Sequence, residues 1–212
     1  LAPVILPRAQ HVVSFHLLTR GACWCRMPGA STFIEAGDVI VVPHGDEYAL
    51  CSDPTLSGGL TLEQTLGWFQ QMATGQLPMI VDEGGGGPER IGIVCGFLGC
   101  DALPFNPVLA ALPRLVHVRP SEAAVDDRLS MLIEFAVAES RDKQAGGRSV
   151  LLRIGELMFV EVIRRYLGTL TGDEGGWLAG LRDPIVGRAL ARLHDTPAYP
   201  WTLDELAREA GG

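Results

Sequence analysis

Between residues 12 and 51 the chain is cut by glycine and proline into apolar runs of four to seven residues. Such runs are too short for independent helices, and they recur at the spacing of a folded antiparallel sheet. Val12–Leu18 is β-branched and apolar, Thr19-Arg20-Gly21 turns the chain, and Ala22–Arg26 returns. Ser31–Glu35 and Val39–Val42 are separated by Ala36-Gly37-Asp38, and Tyr48–Cys51 follows the loop His44–Glu47. Val39–Val42 is apolar at every position, the pattern of a strand covered on both faces. Ile91–Phe97 and Leu115–Val118 resume the sheet after an irregular stretch over residues 52–89. A β-sandwich or barrel is the architecture that closes so many short strands.

After Pro120 the periodicity changes to that of helices. Ser121–Glu139 and Arg148–Leu170 each carry an apolar stripe, and Ala145-Gly146-Gly147 separates them as an antiparallel pair. One helix is also expected over Leu62–Met72 and a short one after Pro104 through Leu112. Gly84–Gly87 reads as a flexible tip. Thr171–Gly176 reads as a linker, after which Asp183 caps a helix with Pro184 at its first position. A second capped helix follows. Thr202 and Glu205 form a capping box, Leu203, Leu206, Ala207 and Ala210 line one face, and Gly211 suits the exit. This last stretch resembles the first helix of a helix-turn-helix, and the chain stops before a recognition helix would appear.

The expected class is therefore α+β: a mainly β barrel over 1–120, a helical dimerisation hairpin over 121–171, a linker over 172–182 and a partial helix-turn-helix domain over 183–212. At 212 residues and 47% hydrophobic content the chain can bury a proper core. Its net charge of −8 repels phosphate, so DNA is expected as a partner of the intact protein rather than of this segment. Nothing is apolar enough over about 18 residues to span a membrane. The prolines in Leu1–Pro7 argue against a signal peptide, and the absent initiator Met suggests removed residues. Five cysteines point to a reducing cytoplasm rather than a disulfide framework.

Phe33–Gly45 resembles the second motif of cupin barrels, a Gly-Asp, an apolar strand and Pro-x-Gly. Val94–Phe97 and Pro107–Pro113 resemble the cupin-type sensor domain of AraC-family transcriptional regulators. Asp183–Gly211, with His194–Pro197 and Trp201–Leu203, resembles the start of the AraC-type DNA-binding domain. This resemblance implies a barrel that senses a small molecule, a helical pair that forms a homodimer, and DNA as the partner of the intact protein. Tyr48 stands where the cupin motif usually carries a metal-binding His, and the first cupin motif is not found. That speaks against an iron or manganese site.

The candidate effector pocket is His16, Trp24, Tyr48 and Cys95, a few polar anchors in an apolar barrel. The candidate dimerisation stripe is Ile154, Leu157, Met158 and Val162. In the helix-turn-helix, the residues singled out are Thr202, Glu205, Leu206 and Ala207. No cofactor is expected. Zinc is an alternative through His44, Cys95 and Cys100, with His16, Cys23 and Cys25 nearby, although no Cys-x-x-Cys pair occurs and buried cysteines commonly fill cores. Ser121, His194 and Asp195 make no hydrolase, since a nucleophile elbow is missing, and Gly84–Gly87 lacks the Lys-Ser/Thr of a phosphate loop. A small metal-dependent cupin enzyme and a ligand-free dimerisation module remain open beside the regulator.

Overall fold

A computed structural model describes residues 9–55, 61–74, 88–100, 107–119, 127–142, 144–170, 180 and 183–211. The expected strands form β1 (His11–Arg20), β2 (Ala22–Met27), β3 (Ala30–Glu35), β4 (Val39–Val42), β5 (Ala49–Cys51), β6 (Gly92–Cys100) and β7 (Val116–Val118). The helices are α1 (Leu62–Ala73), α2 (Pro107–Ala111), α3 (Arg128–Asp142), α4 (Gly147–Thr169), α5 (Pro184–Asp195) and α6 (Leu203–Ala210). They belong to two compact units, Leu1–Ile163 and Arg164–Gly212, so the division falls inside α4. The linker expected over 172–182 and the glycine tip lie outside the described residues, apart from Gly180.

In the first unit all strand pairs are antiparallel. One sheet has the order β6-β1-β4-β7 and the other β3-β2-β5. Alternation along each strand sorts side chains between two layers. Leu18, Ile40 and Val42 from the first sheet meet Cys23, Cys25, Met27 and Ile34 from the second, with Tyr48, Leu50, Ile93 and Leu115 packed against them. The other face of the four-stranded sheet is apolar too: Val13, Phe15, Leu17, Val39, Val41, Val116 and Val118 are all buried. This explains the unbroken apolar run of β4, which is covered on both sides.

Helix α4 covers that outer face at a point of close approach. The Phe15 ring packs against Gly96, its register partner on β6, so closely that a side-chain carbon there would overlap it. On the helix, a Cβ added to Gly155 would stand 3.0 Å from Phe15 Cζ. Two residues without side chains therefore flank one buried aromatic ring, which lets strand and helix approach. Ile154, Met158 and Val162 are buried as well.

Among the described residues helix α3 begins at Arg128, directly after Asp127; the start expected at Ser121 lies outside them. The Asp127 carboxylate accepts from Leu129 N (3.1 Å) and from Ser130 Oγ (2.8 Å), the bonding expected of an N-cap. The Gly-Asp of the resembling motif also has a structural explanation. Asp38 is 2% exposed at the end of β4, where its carboxylate accepts from Glu35 N (3.0 Å) and His117 Nε2 (2.8 Å) and pairs with Arg119 Nε at 3.1 Å. Arg119 also reaches Glu35 at 3.2 Å, so one buried carboxylate ties the β3–β4 turn to β7 and the residue after it.

In the second unit, Asp183 caps α5, accepting from Ile185 N and Val186 N, with Pro184 at the first position. Thr202 and Glu205 form the expected capping box of α6, and Gly211 ends it with φ of 79°, a left-handed conformation that suits glycine. Arg188 Nε donates to Ala210 O at 2.5 Å and Arg192 lies 3.5 Å from Glu209, linking the two helices. The buried face expected of α6 is only partly realised. Ala210 is fully buried, Leu206 is half-buried, Ala207 is exposed and Leu203 is 84% exposed.

Candidate functional site

The interior polar group is built by alternation on two adjacent strands. β1 turns Phe15 outward and His16 inward; β6, in register, turns Gly96 outward and Cys95 inward. His16 is 4% exposed, and both of its ring nitrogens are engaged. Nδ1 lies 2.9 Å from Cys95 Sγ and Nε2 2.5 Å from Tyr48 Oη, with the His16 and Tyr48 rings tilted at 59° and 5.3 Å apart. The Ser14 side chain hydrogen-bonds Tyr48 from the same face of β1.

Burial keeps this group uncharged. It pushes the His16 imidazolium down to about 4 and the Cys95 thiol up to about 12. Tyr48 is also held above its ordinary value, chiefly by burial, against a smaller lowering by Ser14. A neutral imidazole donates through one nitrogen and accepts through the other, so Tyr48 and Cys95 must play complementary roles toward it. Deeper in the layer, Cys23 and Cys25 are pushed up to about 11, mostly by burial and then by neighbouring cysteines. Protein atoms crowd the Cys95 thiol, yet the residue still presents exposed surface. Its strand, β6, is an edge strand of the four-stranded sheet.

Helix α1 stands at this side. Phe97, two residues beyond Cys95 and opposite Ser14, meets the edge of Phe69 with ring centroids 5.2 Å apart at 86°. Phe69 in turn meets Trp68 at 5.2 Å and 82°. The Trp68 Nε1 is buried and finds no hydrogen-bond acceptor among the described residues. These aromatic residues were not among the sequence candidates. The signal available was the adjacent Trp68-Phe69 pair in a helix expected to be amphipathic.

Three of the four pocket candidates, His16, Tyr48 and Cys95, come together. Trp24 does not. It alternates with the buried Cys23 and Cys25 on β2, so it faces away from the interior, its ring 5.2 Å from the exposed Phe33. The zinc alternative is not assembled by the residues described. His44 Nε2 donates to Leu112 O at 2.8 Å, Cys95 bonds His16, and the Cys100 side chain lies outside the description. Among the described residues no three His, Cys, Asp or Glu side chains converge as metal ligands. The dimerisation stripe divides: Ile154, Met158 and Val162 serve the chain's own core, while Leu157 is 57% exposed. The other exposed large apolar residues of these helices are Leu152 and Val160 on α4 and Met131 and Phe135 on α3. Of the four helix-turn-helix candidates, Thr202 and Glu205 are occupied in capping α6.

A family profile described as Cupin matches residues 2–168. The chain belongs to the cupin family. Its sheets, with the Gly37-Asp38 turn and the interior polar group, are the cupin region of the molecule, and α3 and most of α4 fall within the same match. Curated relatives extend further along the chain. A protein of Streptomyces antibioticus named as an AraC-like transcription regulator is 27% identical over 208 residues, 95% of this chain and 64% of that protein. The HTH-type transcriptional regulator AlkR of Acinetobacter baylyi is 23% identical over 201 residues, 94% of this chain and 64% of AlkR. The RCS-specific HTH-type transcriptional activator RclR of Escherichia coli is 23% identical over 198 residues, 92% of this chain and 57% of RclR. This cupin chain thus spans less than two thirds of the length of each relative. No described helix is long and apolar enough to cross a membrane.

Proposed function

We propose that this cupin chain is the effector-sensing and dimerising portion of an AraC-type transcriptional regulator, acting in the cytoplasm without catalysing a reaction. The observation that carries this reading is co-linearity. Relatives named as transcription regulators match 95% and 94% of the chain, which takes in residues of both compact units. The neutral His16–Tyr48–Cys95 group offers a small molecule polar anchors in apolar surroundings, as ligand pockets require. Effector binding then biases DNA binding only through its different affinity for the arrangements of the molecule. For dimerisation, the exposed Leu152, Leu157 and Val160 of α4 and Met131 and Phe135 of α3 supply apolar surface.

The test is DNA association of the complete gene product with fragments from around its own gene, measured by fluorescence anisotropy. Preference for one fragment over unrelated DNA supports the reading. Equal affinity for all fragments, in the presence and absence of a small-molecule extract from the source cells, overturns it. Sedimentation of the present chain tests the dimer: Leu157→Glu is expected to convert dimer to monomer, and a monomeric parent rejects that surface.

A further inference from the structure

We propose that Phe15 couples the His16–Tyr48–Cys95 group inside the barrel to helix α4. A displacement of His16 against Cys95 passes through the Phe15 ring, wedged between Gly96 and Gly155, to the stretch of α4 that bears Leu152 and Leu157. In the sensing role proposed for the barrel, on which this rests, the ring is the route from the interior to the helix surface assigned to dimerisation.

Two consecutive register pairs on β1 and β6 form the ends of this route. His16 lies opposite Cys95, and Phe15 lies opposite Gly96. Neighbouring residues of a strand point to opposite faces, so the first pair lies inside the barrel and the second outside it. The peptide unit between Phe15 and His16 is planar, and β1 is hydrogen-bonded on both sides, to β4 and to β6. His16 therefore cannot move far without carrying Phe15. The inner pair is held from a third direction, since His16 Nδ1 lies 2.9 Å from Cys95 Sγ while Nε2 bonds Tyr48 Oη. A change at Tyr48 or Cys95 thus pulls on His16. The outer pair has no slack. Phe15 is buried, its ring lies against Gly96, and a side-chain carbon added at Gly155 would stand 3.0 Å from its Cζ. Packed interiors transmit such a displacement rather than absorb it. Glycine inside a helix weakens it, and at position 155 the missing side chain makes room for the ring. At Gly168 of the same helix nothing lies within 4 Å of an added carbon. The exposed Leu152 and Leu157 flank Gly155 along α4.

The test uses the chain as it stands, read by nuclear magnetic resonance. Tyr48→Phe keeps the aromatic body and removes the hydroxyl that bonds His16 Nε2. The Gly155 α-proton that points where a Cβ would stand lies against the Phe15 ring, so its ring-current shift follows the ring. It is expected to move in Tyr48→Phe, while the α-protons of Gly168 stay in place. Amide exchange at Ile154 and Gly155 should quicken about two- to tenfold beyond any change in α3, the range for coupled groups in contact. Coupling is reciprocal, so Gly155→Ala should shift the His16 ring ¹⁵N signals, assigned by their loss in His16→Gln. In a Phe15→Leu background, Gly155→Ala should leave those signals unmoved. Val162→Ala trims another fully buried residue of α4 and supplies the control. It should lower stability without moving the His16 signals. An unmoved Gly155 proton in Tyr48→Phe, unmoved His16 signals in Gly155→Ala, an equal His16 response to Val162→Ala, or a response that survives Phe15→Leu each overturns the coupling. The first three readings keep Phe15, so they decide the matter even where Phe15→Leu does not fold. Intact coupling in a gene product that ignores DNA refutes the regulatory reading alone. Specific DNA binding without the coupling refutes the route alone.

Discussion

Gly155→Ala tests how closely the barrel and helix α4 approach. A helix-interior Gly→Ala change by itself stabilises by about 1 kcal/mol, because alanine loses less backbone freedom on folding. At Gly155 the new methyl group would stand 3.0 Å from Phe15 Cζ and 3.5 Å from Cε1. Carbon atoms prefer about 3.5–4.0 Å, so helix or ring must shift by roughly half an ångström or more. Phe15 has little room to yield, since its other side lies against Gly96. Overpacking of this kind costs about 1–3 kcal/mol, and after the propensity gain the net loss is about 0–2 kcal/mol. Gly67→Ala in α1 supplies the control, as nothing lies within 4 Å of its added carbon. It should gain up to about 1 kcal/mol. Urea unfolding followed by circular dichroism, with the slope checked for constancy, measures both. In a double-variant cycle, Phe15→Leu should remove the penalty at position 155. A Gly155→Ala chain as stabilised as Gly67→Ala, or a cycle that is additive, would refute the wedged-ring argument.

Other consequences are equally open to measurement. The neutral state of His16 makes stability depend on pH: the unfolded imidazole takes a proton near 6.5, the folded one only near about 4. Between those values the unfolded chain binds the extra proton, so stability rises with pH across the window and is lost as pH falls. The full effect is about 3 kcal/mol. Unfolding at a series of pH values should show this extra slope in the parent and not in His16→Gln; equal slopes would reject a buried neutral imidazole. Asp38→Asn removes the charge that His117 and Arg119 share and should cost about 1.5–3 kcal/mol in urea denaturation, whereas a loss below about 0.5 kcal/mol would make the network incidental. Thr202→Ala breaks the capping box and should destabilise α6 by about 1 kcal/mol, seen as faster amide exchange over 203–210; unchanged exchange would contradict the cap.

What the amino-acid order determined by itself was local. Glycine and proline set the strand ends, the change from period two to helical period placed the helices, and Asp183, Thr202, Glu205 and Gly211 marked helix ends through bonds that span at most a few residues. Tertiary structure decided everything that depends on register and facing. A strand alternates strictly, so a shift of one residue separates Trp24 from the interior while leaving Cys23 and Cys25 inside it. The pairing of His16 with Cys95 spans 79 residues of sequence, and no local propensity encodes which of many apolar partners lies opposite. The helices follow the same rule. An apolar stripe states that a helix face will be buried, but the glycine pocket for Phe15 determined that Ile154, Met158 and Val162 turn inward and Leu157 remains on the surface. Nor could the order of residues announce the orphaned Trp68 N–H, because lacking a partner is a property of the whole packed neighbourhood.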